Sequence, residues 1–78
     1  MYKKFDMFPS NHIEITPDDS DTLFQEMLIY CGSDGDVAAV DTHGRVVVYT
    51  VSAGDILPIL AVRINATDTT VTQIVGLY

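Results

Sequence analysis

The residues able to do chemistry in this chain are few and poorly spaced for it. Cys31 is the lone cysteine, and His12 and His43 are the only histidines. A thiol or hydroxyl nucleophile needs a base within hydrogen-bond reach. Neither histidine has a catalytic partner nearby in sequence, and His43 lies in Asp41-Thr42-His43-Gly44, which is ordinary turn composition. A single cysteine excludes an internal disulfide and a clustered-cysteine zinc site. Free cysteine is among the most buried residue types, so Cys31 is expected in the core. Asp18, Asp19 and Asp21 could offer hard oxygen ligands to calcium, as could Asp34 with Asp36. Neither set has the spacing of an EF-hand, and turn and capping roles account for both. Gly32 to Gly35 has the glycines of a phosphate loop without the lysine and hydroxyl that would hold the phosphates. Asn65-Ala66-Thr67 fits the glycosylation triplet, a short match with no secretory leader ahead of it. The expectation is a protein that is not an enzyme, with no catalytic residue, no metal and no cofactor.

The elements that carry these residues must come from one small domain of 78 residues. A chain this short buries only about 60 to 65 % of its unfolded surface, so its core is marginal unless something reinforces it. Hydrophobic residues make up 47 % and charged residues only 19 % of the chain, against about 25 % charged in an average soluble domain. The net charge is −7, with only Lys3, Lys4, Arg45 and Arg63 on the basic side, which argues against nucleic acid and anionic membranes as partners. The longest apolar run, Ile56 to Val62, falls far short of the ~20 residues of a membrane helix.

Residues 1–12, with Pro9, Ser10 and Asn11, read as an extended N-terminal arm whose Tyr2, Phe5, Met7 and Phe8 are costly to leave in water. Residues 13–78 read as one β domain. Strand-like runs alternate with turn signals at short spacing, the pattern of a small antiparallel β-sandwich or barrel of about six strands. The runs are Ile13 to Thr16, Met27 to Cys31, Val37 to Val40, Arg45 to Val51, Ile56 to Ile64 and Thr70 to Tyr78. Ile56 to Ile64 is the longest candidate, and its Pro58, lacking a donor, calls for an edge, a bulge or a strand start. A single helical turn is expected between Asp19 and Glu26, where Leu23, Phe24, Met27 and Leu28 could share a face. Gly35, Gly44 and Gly54 are expected to serve turns, and Gly76 a close backbone approach. Val48, Leu60, Val62, Ile64 and Val75 are the expected core.

A strand with one wet face alternates apolar and polar residues, yet several of these runs are apolar on both sides. Val46 and Val48 would lie on one side of their strand, with Val47, Tyr49 and Val51 on the other. One small sandwich cannot cover both faces of every strand, so other chains are expected to cover the rest. The interface residues expected on this ground are Tyr2, Phe5, Phe8, Tyr49, Leu57, Ile59, Leu77 and Tyr78.

Specific stretches add a resemblance. Ile15-Thr16-Pro17-Asp18-Asp19-Ser20-Asp21-Thr22-Leu23 resembles an I-T-P-x-D-S-x-x-L opening. Gly35-Asp36-Val37 and a valine-rich strand follow, then Ala53 to Ile59, Arg63 to Thr70, and Ile74-Val75-Gly76-Leu77-Tyr78. In that order, over residues 13 to 78, they resemble the small spike base proteins of tailed phages and gene transfer agents. Members of that family tend to have glycine where Asp68 stands. The resemblance implies a virion protein, assembled in the bacterial cytoplasm, that forms a homo-oligomeric ring of five on the capsid surface. It also implies contact with the major capsid protein and with a spike or fibre. A tail, neck or decoration subunit is the alternative within virions. A small carbohydrate-binding β module, with Tyr30, Tyr49 and Tyr78 stacking on sugars, is the alternative outside them.

Overall fold

Short β-branched runs between turn residues give six strands: β1 His12–Ile15, β2 Leu28–Cys31, β3 Gly35–Val40, β4 Val46–Val51, β5 Arg63–Asn65 and β6 Ile74–Leu77. The computed structural model describes residues 8–78, so most of the expected arm, including Tyr2 and Phe5, lies outside the described residues. The strands form two three-stranded antiparallel sheets, ordered β1-β6-β2 and β4-β3-β5. The all-β antiparallel architecture agrees with the sequence.

Alternation decides which side of each strand meets the core. In the first sheet Ile15, Ile29, Cys31 and Ile74 point inward; in the second Val37, Ala39, Val51 and Ile64 do. Met27, Leu57, Ala61 and Val71 complete one apolar cluster between the sheets. Cys31 is fully buried, as its composition suggested, and burial raises its thiol pKa above the ordinary value. A thiol reagent should therefore leave the native protein unlabelled and react with Cys31 only on unfolding. Rapid labelling of the native protein would contradict this placement.

Four of the five expected core residues stand elsewhere. Val48 is 46 % and Leu60 48 % exposed, Val62 and Val75 are half-buried, and only Ile64 is interior. In β6 the inward positions are Ile74 and Gly76, which leaves Val75 on the outer side. The long strand expected over Ile56 to Ile64 is also absent. Its first part crosses the edge of β2 as an irregular segment bridged at Tyr30–Ile56 and Met27–Ala61, and only β5 at its end is a strand. Pro58 has no N–H for a ladder, and the inward phase slips between Ala61 and Ile64, three residues apart, where strand alternation needs an even spacing.

The helical turn expected at Asp19 to Glu26 does not form. The Asp18 carboxylate instead accepts the amides of Ser20 and Asp21 at 2.8 and 3.0 Å. The chain then runs along β5, with Asp18 N–H donating to the Ile64 carbonyl and Leu23 N–H to that of Val62. Gly35, Gly44 and Gly54 all have positive φ, as their turns required. Asp68 has φ of 68°, which explains why glycine would suit that position. A Cβ on Gly76 would press on the Met27 sulfur and lie 2.8 Å from Ile15 Cδ1, the close approach expected there.

Candidate assembly surface

Four of the five acidic residues that could have held a cation, all but Asp21, accept hydrogen bonds from loop or strand residues. Asp19 accepts both the amide and the hydroxyl of Thr67, at 2.9 and 2.8 Å, tying the segment before β2 to the one after β5. Asp34 accepts the Ala53 amide and Asp36 the Thr50 hydroxyl. Asp41 accepts the amides of His43 and Arg45 and pairs with the Arg45 guanidinium at 2.9 Å, closing the β3–β4 hairpin. Cys31 is sealed while His43 stands on this exposed turn, so the two form no nucleophile–base pair. Asn65 Oδ1 is occupied by Arg63 Nε at 2.7 Å.

Hydrogen bonds from backbone amides hold the carboxyls of Asp18, Asp19 and Asp41 below their ordinary value of 3.8. For Asp18 the leading cause is the Asp21 amide, for Asp19 the Thr67 amide, and for Asp41 the Arg45 amide. A lowered folded pKa contributes stability that is present above the unfolded value and is lost as pH falls through the folded one. Acid unfolding should therefore set in below 3.8, and Asp19→Asn should flatten the loss. Denaturant titration across the acid range checks this, and an unchanged slope in the variant would count against the Asp19–Thr67 tie.

Among the described residues, part of the uncovered surface is apolar. Along β4, Val46, Val47 and Val48 are 48, 53 and 46 % exposed, although the strand's cross-strand partners Ala38, Ala39 and Val40 are buried. On the outer face of the first sheet, Leu28, Tyr30, Val75 and Leu77 stand together, since Leu28 pairs with Leu77 and Tyr30 with Val75. Ile56, 51 % exposed, bridges to Tyr30 beside them. Phe24 packs edge-on against Tyr78, ring centroids 5.0 Å apart, and is itself 64 % exposed. Small soluble domains do not usually present large hydrophobic residues in such groups unless something covers them.

Of the interface residues expected from sequence, Leu57 is interior, only 2 % exposed, and presents nothing outward. Phe8 is 71 % exposed, whereas Tyr49, Ile59, Leu77 and Tyr78 are half-buried, with Tyr49, Ile59 and Tyr78 packed on the core. Tyr30 lies on the outer face of the first sheet and Tyr49 on the inner side of the second, so the tyrosines form no common sugar-stacking platform. Sequence reasoning missed the exposure of Val46, Val47 and Val48, which stand on both faces of β4. The unbroken valine triplet in a strand without charge was the available signal.

Neither a protein-family model nor a curated protein matches the chain. Among solved structures, a chain of one described as "Capsid of native GTA particle computed with C5 symmetry" has a TM-score of 0.81 and 39 % sequence identity to it. The match covers 90 % of this chain and 83 % of that one. An all-β fold, uncovered apolar surfaces and this likeness define a virion structural protein. The chain belongs to the same family as that component of a gene transfer agent capsid.

Proposed function

We propose that the protein is the base subunit of a head spike. Copies form a ring of five on the capsid surface at a vertex, seated on the major capsid protein and holding a spike or fibre. The observation that carries this reading is the 39 % identity to a chain of a capsid computed with five-fold symmetry. The two uncovered apolar surfaces support it, because a permanent ring needs faces for its neighbours and a further face for what it anchors. Phe8, Tyr49, Ile59, Leu77 and Tyr78, with the exposed Phe24, Tyr30 and Ile56, are the side chains proposed to meet partners. Five-fold symmetry fits a capsid vertex better than a tail or neck, where six-fold or three-fold rings are the rule to expect.

Particles assembled without this protein test the assignment. They should have intact heads and tails and vertices bare of spikes in electron micrographs. Spiked vertices, or heads lacking tails, would contradict it, the second by placing the subunit in the neck.

A further inference from the structure

Each three-stranded sheet has two edges, and the chain covers one edge of each. The outer side of β2 is taken by residues 54–61, through Cys31 N–H to the Asp55 carbonyl, Leu57 N–H to Ile29, and reciprocal bonds between Met27 and Ala61. The outer side of β5 is taken by residues 18–23, through the amides of Asp18 and Leu23. The edges of β1 and β4 remain uncovered among the described residues.

Hydrogen-bond parity shows what these edges offer. Asp41 N–H donates to the Arg45 carbonyl, so in the β3–β4 ladder the bonded positions of β4 are Val47, Tyr49 and Val51. The other side of β3 confirms the phase, since Asp36 and Ala38 donate to the Thr70 and Thr69 hydroxyls and Val40 accepts from Val62. The N–H and C=O groups of Val46, Val48 and Thr50 therefore point away from the sheet. By the same reasoning from the reciprocal Asn11–Tyr78 bonds, those of His12 and Glu14 in β1 point away from β6.

Proteins that do not use an edge blunt it with lysine, proline or a bulge. Val46–Val51 has none of these and no charged residue, and it carries three consecutive exposed valines. A ring that closes with more than two members needs a heterologous joint, made of two different and complementary patches on each subunit. The β1 and β4 edges are such a pair, one on each sheet. Ile13, 41 % exposed, and Val47 lie on the core-facing sides of their strands, where they could continue each other. Arg45, with a 71 % exposed side chain beside β4, is complementary to Glu14 on β1.

We propose that the β4 edge of one subunit pairs with the β1 edge of the next, joining β5-β3-β4 to β1-β6-β2 as one six-stranded sheet across each boundary. This rests on the ring reading above. The backbone groups of Val46, Val48 and Thr50 supply the affinity, and the valines exclude water around them.

Two full-length preparations test it, one carrying Glu14→Cys and the other Val48→Cys, with buried Cys31 left in place. After the two are unfolded together in denaturant and refolded as one mixture, a flexible bismaleimide should couple one variant to the other and leave each variant alone uncoupled. Coupling of Val48→Cys to itself would overturn the proposal, because it would mean a two-fold β4–β4 contact. Absence of coupling in a mixture that is assembled would also overturn it. Val48→Pro removes an outward N–H and no β3 bond, so it should weaken assembly by roughly tenfold or more while the single chain keeps its fold by circular dichroism. Val48→Lys, which leaves the backbone intact, should do the same should the proline variant fail to fold, and an undiminished ring in a folded variant would overturn the proposal. A monomeric parent protein defeats the ring reading itself, whereas an intact ring with uncoupled cysteines defeats the edge assignment alone.

Discussion

Ile64→Asp will strip the domain of much or all of its stability, while Val62→Asp, two residues away, will keep most of it. Ile64 is 1 % exposed and sits opposite Ala39 at the centre of the core cluster. Aspartate there forfeits the apolar contacts and buries a carboxylate with no partner, together more than about 5 kcal/mol. A domain of 78 residues at about 0.05 to 0.15 kcal/mol per residue has roughly 4 to 12 kcal/mol in all. Val62 is half-buried, and its N–H still reaches the Val40 carbonyl whatever its side chain, so its replacement should cost about 1 kcal/mol. Circular dichroism and a denaturant titration decide it. A cooperative transition for Ile64→Asp close to that of the parent would contradict the placement of the core.

Gly32→Ala should have the next largest effect. A Cβ at Gly32 would stand 2.5 Å from the Gln73 carbonyl oxygen, 2.7 Å from Gln73 Cβ and 3.2 Å from the Thr72 carbonyl oxygen. Backbone atoms are among the obstacles, so no rotamer change relieves the overlap. Gln73 is itself held at φ of 57°, and the next residue, Ile74, opens β6 in the core. The neighbouring link, from Thr72 N–H to the Ser33 hydroxyl, would be pulled apart as well. We expect a loss of about 3 kcal/mol or more. Gly54→Ala is the comparison, because nothing lies within 4 Å of its Cβ and only its φ of 93° resists the change. That strain is worth about 1 to 2 kcal/mol. Equal melting temperatures for the two variants would remove the steric argument.

Gly32 also shows where sequence reading ends. Glycine beside Ser33 and Asp34 signals a turn, and at Gly35 the positive φ followed from it. At Gly32 the need is for space against Gln73, forty-one positions along the chain, and composition carries no trace of such a contact. Strands β1, β2, β3, β4 and β6 were legible because β-branched or apolar runs end at turn residues on both sides. Ile56 to Ile64 was not, since a run apolar at every position fits equally a two-faced strand and a plug that seals the edge of β2. Pro58 was the clue that favoured the plug. The inward phase of β4 was lost for the same reason: Val46 to Val48 satisfies either face, and only the register against Val37 and Ala39 turns Val48 outward.

The candidate assembly surface was half legible. Too much apolar strand for so small a domain pointed to other chains, and the exposed valines of β4 and the outer face of the first sheet agree with that. Which residues form it was harder, because Leu57 looks as suitable as Val47 until the fold buries one and exposes the other. An edge of a sheet is, moreover, a property of the backbone. No side chain announces that, among the described residues, Val46, Val48 and Thr50 keep their N–H and C=O groups unspent.

The mass of the full-length protein in solution, read by native mass spectrometry, tests the central claim most directly. A closed ring of five copies, persisting on dilution, is the result expected of strands left open along β1 and β4. A monodisperse single chain at micromolar concentration would show that water, and no neighbouring subunit, covers the valines of β4.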